Sequence, residues 1–131
     1  MAATLPITTT LVSGLAILFL VLTARVIQLR VRHRVSLGDG GNKELTRAIR
    51  GQGNLVESAP LFAVMVLVAE MQGASVWLTG LVAGAFLIGR TMHGICLGFM
   101  KPTMPLRFGG MLLTLITMIA MTLVDLAIIV F

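Results

Sequence analysis

Cysteine, charged residues and aromatic residues are all scarce in this sequence, and each shortage excludes a class of protein. The single cysteine, Cys96, cannot form an intramolecular disulfide, so a disulfide-stabilised fold is excluded. Charged residues make up 11% of the chain, against roughly 25% in an ordinary soluble domain, while hydrophobic residues reach 57%. The composition therefore predicts a membrane protein. With 131 residues, we predict a single domain over residues 1–131.

Sequence motifs of several common functional classes are missing as well. The net charge of +5 would suit nucleic acid, but only 5% of the residues are aromatic and no DNA- or RNA-reading motif occurs. We therefore expect no nucleic-acid partner. His33, His93 and Cys96 lack the spacing of metal ligands, so no metal site is expected. A catalytic serine triad, a P-loop and a dinucleotide-binding motif are likewise not found.

Four long apolar runs fill most of the chain. Runs of about 20 apolar residues span a bilayer, where the backbone must form helices or a closed barrel. None of these runs alternates with a period of two, so helices are predicted. The predicted spans are residues 5–27, residues 55–69 with a helical lead-in from residue 43, residues 76–97 and residues 109–131. This pattern predicts an all-α fold, an integral membrane four-helix bundle.

The basic residues all lie toward one end of this predicted bundle. Seven flank the connection between spans one and two, one lies in the later half of span three, and two lie between spans three and four. They are Arg25, Arg30, Arg32, Arg34, Lys43, Arg47, Arg50, Arg90, Lys101 and Arg107. The positive-inside rule then places this end in the cytoplasm and both termini outside it.

A polar stripe interrupts the approach to span two, in the segment RAIRGQGNLVESAP at residues 47–60. At 100° per residue, Arg47, Arg50, Asn54 and Glu57 fall within about 80° of one another on a helix. Ionisable residues at membrane depth are costly, by about 2.5–3.5 kcal/mol on insertion scales, and usually face a bundle interior or a wet cavity. The stripe therefore marks a candidate site.

Two interpretations of these polar residues remain open. In the first, Arg50 or Arg90 pairs with Glu57 and links two helices. In the second, the stripe lines a pocket for an anion or a zwitterion, together with a polar patch of Arg90 and His93 in span three. Glu57 is the only acid near these arginines at membrane depth. Uncompensated arginines either reach lipid phosphates or bind an anionic ligand, so the pocket is favoured.

The helix-two residues resemble the signature of the MAPEG family, the membrane-associated proteins in eicosanoid and glutathione metabolism. The residues that carry the resemblance there are Arg50, Gln52, Asn54, Glu57, Pro60 and Leu61. The segment RVSLGDGGNKELTRAIR at residues 34–50 is similar to that of bacterial inner-membrane members. Further matching positions are Arg30, Arg34, Arg47, Arg90, His93, Pro105, Leu106 and Arg107.

The resemblance implies a homotrimer that binds glutathione in clefts between subunits, on the cytoplasmic side of a bacterial inner membrane. By position in the family pattern, glutathione would be held by Arg30, Arg50, Gln52, Asn54, Glu57 and His93. Arg107 would be the catalytic arginine that faces the sulfur. Glutathione would serve as cosubstrate, and a lipophilic small molecule would enter from the membrane lipid.

The function implied is that of a membrane glutathione transferase, which activates the glutathione thiol for attack on lipophilic electrophiles or hydroperoxides. An alternative comes from one departure from the family pattern, since the chain contains no tyrosine. Ser58, Leu97 and Met111 stand where well-studied members carry tyrosine. The alternative is a non-catalytic membrane protein that binds glutathione or anionic lipid, or an assembly scaffold.

Overall fold

The computed structural model describes residues 4–101 and 103–130, and these form four long helices with no strand among them. The helices are α1 (Pro6–His33), α2 (Lys43–Met71), α3 (Val76–Phe99) and α4 (Met104–Val130). Each is long and apolar enough to cross a membrane. The predicted all-α architecture with four spans is therefore confirmed. Phe131, the predicted end of span four, lies outside the described residues.

The helices extend beyond the apolar runs that predicted them. The first helix continues to His33, six residues past the predicted end, and α4 begins at Met104 rather than at residue 109. A helix of 28 residues is about 42 Å long, which matches a bilayer with its headgroup regions rather than the hydrocarbon core alone. Arg107 consequently lies in the first turn of α4 and not in a loop.

Consecutive helices run antiparallel, and this brings four helix ends together. In α1 and α2, Thr23 pairs with Gln52, and in α2 and α3 the rings of Phe62 and Phe86 stack. The C-terminal ends of α1 and α3 thus lie beside the N-terminal ends of α2 and α4. We call this the basic end, because all ten lysines and arginines lie in the half of the bundle nearest to it.

Helix α3 lies at the centre of the packing and contacts all three other helices. The Phe62 and Phe86 rings are fully buried and nearly parallel, with centroids 3.7 Å apart. Where α3 crosses α4, a Cβ built on Gly110 would lie only 2.8 Å from the carbonyl oxygen of Gly89. The backbones of α3 and α4 therefore approach closely at these two glycines.

Arg25 joins three helices near the basic end. Its guanidinium forms an ion pair of 2.7 Å with Glu44 of α2 and donates from Nε to the backbone oxygen of Gly98 in α3 at 2.9 Å. The same guanidinium lies 5.3 Å from the centre of the Phe99 ring. The Arg25 side chain therefore stabilises the fold, and it is not a candidate for ligand binding.

At the opposite end of the bundle, Glu70 of α2 caps the first helix. Its two carboxylate oxygens accept from the backbone N–H groups of Ile7 and Thr8, at 2.9 and 2.8 Å. Leu5, at the N-cap position of α1, has no side chain that could do this. A carboxylate is also favoured here by the partial positive charge of a helix N-terminus.

The connection between α1 and α2 is a compact turn held by side chains. Asn42 caps α2, because its Oδ1 accepts from the N–H groups of Glu44 and Leu45. The Asp39 carboxylate accepts from the Gly41 N–H at 3.0 Å and from the Thr46 hydroxyl at 2.8 Å. These donors, with the Gly41 N–H first, hold the pKa of Asp39 below its usual range.

We expect Asp39→Asn to lower the thermal midpoint near neutral pH and to have no effect in strong acid. A carboxyl whose pKa falls on folding contributes stability above its unfolded pKa of about 3.9, and this contribution is lost as the pH drops through the lower folded pKa. Thermal melts of both proteins in detergent, from neutral to acidic pH, check this. A difference between the two midpoints that persists unchanged in acid would contradict it.

Candidate functional site

A cavity of about 520 Å³ opens between α2 and α4 in the basic half of the bundle. Its volume falls in the range of roughly 300–1,000 Å³ that is usual for small-molecule sites. The residues that line it are Thr46, Arg47, Arg50, Asn54, His93, Leu97, Met104, Arg107, Phe108 and Met111. Three helices contribute, so the cavity is a product of the tertiary fold.

The polar wall of the cavity is formed by α2. Thr46, Arg47, Arg50 and Asn54 follow one another at intervals of one, three and four residues, which keeps them on one side of the helix. Three of them belong to the polar stripe that the sequence predicted as a binding face. The structure therefore places that part of the stripe in a cavity, in agreement with the pocket interpretation.

The opposite wall belongs to the first two turns of α4 and is mainly apolar. Met104, Phe108 and Met111 recur at intervals of four and three residues, and Arg107 lies among them. Met104 and Phe108 are largely exposed in the single chain, at 73% and 65%. The cavity thus combines a cationic wall with an apolar one that is largely exposed on the outside of the single chain.

His93 and Leu97 of α3 form the floor. The His93 side chain is only 3% exposed, and its Nδ1 is buried with no hydrogen-bond partner among the described residues. The positive charges of Arg90 and Arg107 both interact electrostatically with this imidazole. Unpaired buried polar atoms are uncommon in folded proteins, and this Nδ1 has almost no accessible surface in the single chain.

The electrostatic character of the cavity is cationic. Arg47, Arg50 and Arg107 line it, and none of the lining residues is acidic. Within residues 4–101 and 103–130, the only arginine that lies within 4 Å of a carboxylate is Arg25. The three lining guanidinium groups therefore form no ion pair with a carboxylate in the described part of the chain, and the cavity suits an anion or a zwitterion with negative charge in excess.

Four of the seven predicted site residues meet in this one cavity. These are Arg50, Asn54, His93 and Arg107. They come from three helices and were predicted from positions up to 57 residues apart in the sequence. Because side chains so distant in sequence could lie anywhere around a bundle, their meeting in one cavity supports their assignment to a common site.

The other three predicted site residues lie elsewhere in the single chain. Gln52 faces α1 and donates to the Thr23 hydroxyl at 2.7 Å. Arg30 donates to the backbone oxygen of Gly38 in the α1–α2 connection, at 2.8 Å. Glu57 is exposed on the outer side of α2. Their assignment to glutathione stays a prediction, and in the single chain they do not line the cavity.

Arg90 lies one helical turn from His93 and is almost completely buried, at 2% exposure. Its Nε has no hydrogen-bond partner among the described residues. The charge of Glu57 acts on it, but the two side chains do not approach within the 4 Å of an ion pair in the described part of the chain. The predicted pair of Glu57 with Arg90 or Arg50 is therefore not formed within the described part of the single chain.

Several lining residues were not among the predicted ligands. Arg47 was predicted to line the pocket as part of the stripe but was not named as a glutathione ligand, while the apolar wall of Met104, Phe108 and Met111 was not predicted. Helical spacing from Arg107 would have identified Met104 and Met111, at i−3 and i+4, once α4 was known to begin at residue 104, but not the adjacent Phe108. No group of three or more potential metal ligands occurs in the described ranges.

The structure thus combines four helices that are long and apolar enough to cross a membrane with a cavity lined by three arginines in one half of the bundle. The model of the MAPEG family matches this chain over residues 8–127, and the chain belongs to that family.

Among its relatives is the inner membrane protein YecN of Escherichia coli strain K12. YecN is 38% identical over 111 residues, which cover 85% of this chain and 83% of the relative. The YecN protein of Escherichia coli O6:H1 matches to the same extent. With four spans and relatives of this kind, the chain is a multi-pass inner membrane protein.

Proposed function

We propose that the protein is a membrane glutathione transferase, which binds glutathione in the cavity and activates its thiol for attack on lipophilic electrophiles or hydroperoxides. The observation that carries the proposal is the meeting of Arg50, Asn54, His93 and Arg107 in a cavity without an acidic lining residue. Glutathione has two carboxylates and one ammonium group, so its net charge is negative and complements this lining. Membership of the MAPEG family supports the same ligand.

The cavity lining accounts for how the thiol would be activated. A free thiol has a pKa of about 8.5, and only the thiolate is a strong nucleophile. The Arg107 guanidinium stabilises a thiolate beside it without giving up its own proton, so the thiol proton leaves to water through the open cavity. The thiolate then forms a C–S bond with an electrophilic carbon, and the leaving group departs with the bonding electron pair.

Hydroperoxides would react by a related route. The thiolate attacks the peroxide, the O–O bond breaks, and an alcohol forms together with glutathione sulfenic acid, which a second glutathione converts to the disulfide and water. The lipophilic reactant would lie along the apolar wall of Met104, Phe108 and Met111. This wall borders the membrane, so an apolar molecule reaches the thiolate without crossing water.

We further propose that the protein acts as a homotrimer with its basic end in the cytoplasm. Glu57 is exposed on the outer face of α2, and a Cβ on the neighbouring Gly53 would meet no heavy atom within 4 Å. An acidic side chain that faces lipid at this depth is costly. Contact with a second subunit would cover this face and could bring Glu57, Gln52 and Arg30 to a cavity they do not reach within their own chain.

Glutathione binding to the purified protein in detergent tests the proposal. We expect calorimetric titration to show binding to the wild type and about 10- to 100-fold weaker binding to Arg50→Ala, because charge-assisted hydrogen bonds contribute about 1.5–3 kcal/mol each. The matched control is Arg32→Ala, since Arg32 is exposed at the end of α1 and does not line the cavity. Absence of binding to the wild type, with no conjugation of glutathione to an aryl halide, would refute the proposal.

A second candidate function is binding of an anionic lipid without catalysis. Three cavity arginines beside an apolar wall also match a lipid phosphate with its acyl chains. Leu97 and Met111 moreover line the cavity where other family members carry tyrosine. Native mass spectrometry of the detergent-solubilised protein separates the two ligands. Retained phospholipid that glutathione does not displace would favour this second function.

A further inference from the structure

We propose that Arg47 is a specificity-determining residue, which binds a second carboxylate of the thiol peptide and makes the site selective for dicarboxylate thiols. This inference rests on the proposed function of the cavity. Arg47 lines the cavity one helical turn from Arg50, toward the basic end. Its Nε is buried and has no hydrogen-bond partner among the described residues. Because that Nε is closed off, a ligand would be bound by the terminal nitrogens of the guanidinium, which form no ion pair with a carboxylate of the described residues.

The position of Arg47 matches the length of a tripeptide. With a rise of 1.5 Å per residue, Arg47 lies about 4.5 Å along α2 from Arg50 and about 10.5 Å from Asn54. An extended tripeptide of α-linked residues spans about 10–11 Å, and the γ-glutamyl linkage of glutathione adds two carbon atoms to this length. A thiol tripeptide that lies along the polar wall of α2 therefore reaches from Asn54 to Arg47, with one end of the ligand at each.

The charges of the cavity lead to the same assignment. The lining contains three guanidinium groups, of Arg47, Arg50 and Arg107, and no carboxylate. A thiolate tripeptide with two carboxylates carries three anionic groups, which is one for each arginine. With Arg107 at the thiolate and Arg50 at one carboxylate, Arg47 is left for the other. The amide oxygen of Asn54 can accept from the ligand's ammonium group.

Selectivity follows because a monocarboxylate thiol leaves one guanidinium unpaired. A site built to pair a charged group discriminates against ligands that lack it, since its own donors then lose water without gaining a partner. Arg47 is half-buried rather than fully buried, so water still reaches part of it. The expected discrimination is consequently about 10-fold, below the values found for fully enclosed sites.

The test compares glutathione with its two monoamides, in which either the glycine carboxylate or the γ-glutamyl α-carboxylate is replaced by a neutral amide. We expect the wild type to bind glutathione about 10-fold more tightly than the glycine monoamide. The reason is that the glycine carboxylate lies at Arg47 when the ammonium end of the peptide lies at Asn54. Arg47→Gln should bind that monoamide as the wild type does, and should lose the preference for glutathione over it. Arg47→Lys should retain part of the preference, because it keeps the charge without the planar fork.

Thermal melts of each variant establish that it is folded, and Arg32→Gln is the matched control for loss of one positive charge. The inference is overturned if Arg47→Gln keeps the full preference or weakens glutathione and both monoamides equally. It is also overturned if this variant loses only copurifying phospholipid, which would assign Arg47 to a lipid phosphate. Failure of the wild type to bind any of the three thiols would overturn the proposed function itself.

Discussion

Gly110→Ala is expected to lower the thermal midpoint of the protein by roughly 10 °C. A Cβ at this position would lie 2.8 Å from the Gly89 carbonyl oxygen and 2.9 Å from the His93 backbone nitrogen. Both are backbone atoms of α3, which cannot rotate away as a flexible side chain could, so the two helices must separate. Overpacking of this kind costs about 1–3 kcal/mol, and each kcal/mol shifts the midpoint by about 4 °C in a chain of this size.

Gly109→Ala is the matched control for this substitution. A Cβ at Gly109 would meet only the terminal methyl group of Met92, at 3.8 Å. Both glycines lie in α4, where alanine is favoured over glycine by about 1 kcal/mol, so Gly109→Ala should leave the midpoint unchanged or raise it. Thermal melts in detergent, followed by circular dichroism, compare the variants. Equal midpoints for the two would show that α3 and α4 do not cross at Gly110.

The crossing at Gly110 also determines the floor of the cavity, because the atoms it contacts belong to His93. A Cβ on Gly110 would lie 3.0 Å from the His93 Cβ as well as close to its backbone nitrogen. The displacement that lowers stability should therefore also shift the imidazole. Any Gly110→Ala protein that remains folded is expected to bind glutathione more weakly than Gly109→Ala.

The number and type of helices could be predicted from the sequence, but their ends could not. Apolar runs report the hydrocarbon core, and all four runs correspond to helices in the structure. Outside that core, a helix continues wherever its backbone and caps permit. The six residues at the end of α1 and the first turn of α4 are polar or mixed in character, so hydropathy gives no signal for them. Arg107 was assigned to a loop for this reason.

The candidate site was predictable where helical periodicity applied. Arg50 and Asn54 are four residues apart and share the polar wall, as the stripe predicted. Gln52 lies two residues from each of them, which is about 200° around a helix, and it faces α1 instead. The family motif contains Arg50, Gln52 and Asn54 together, and so it does not show that Gln52 lies on a different face of α2 from the other two. Residues on opposite sides of α2 can contact one ligand only if another chain supplies the missing side.

The apolar wall of the cavity had no signal in the sequence. Phe108 and Met111 would be ordinary lipid-facing residues of a membrane helix, and only their position beside Arg107 relates them to a site. The role of Glu70 was missed for a similar reason. Glu70 lies at the end of the bundle opposite to the basic end. Its partners are backbone N–H groups of α1, and no pattern of side chains in the sequence reveals them.

Arg107→Ala is expected to reduce kcat/KM for glutathione conjugation by about 100-fold. Removal of one group that stabilises developing or full negative charge at a reaction centre typically lowers the rate by about 10²- to 10³-fold. Arg107 is exposed in the cavity mouth, so water takes over part of its role and the lower figure applies. Steady-state kinetics with a lipophilic aryl halide measure the change, and Arg32→Ala, outside the cavity, should retain wild-type activity.

The pH dependence of the Arg107 variants separates thiolate stabilisation from a merely structural role. A guanidinium beside the sulfur lowers the pKa of the bound thiol, so its removal raises that pKa and moves the rising limb of the rate–pH profile to higher pH. Arg107→Ala should therefore recover part of its lost rate in alkaline solution, and Arg107→Lys should lie between it and the wild type. If a variant has a reduced rate but an unshifted rate–pH profile, Arg107 positions the substrate and does not stabilise the thiolate.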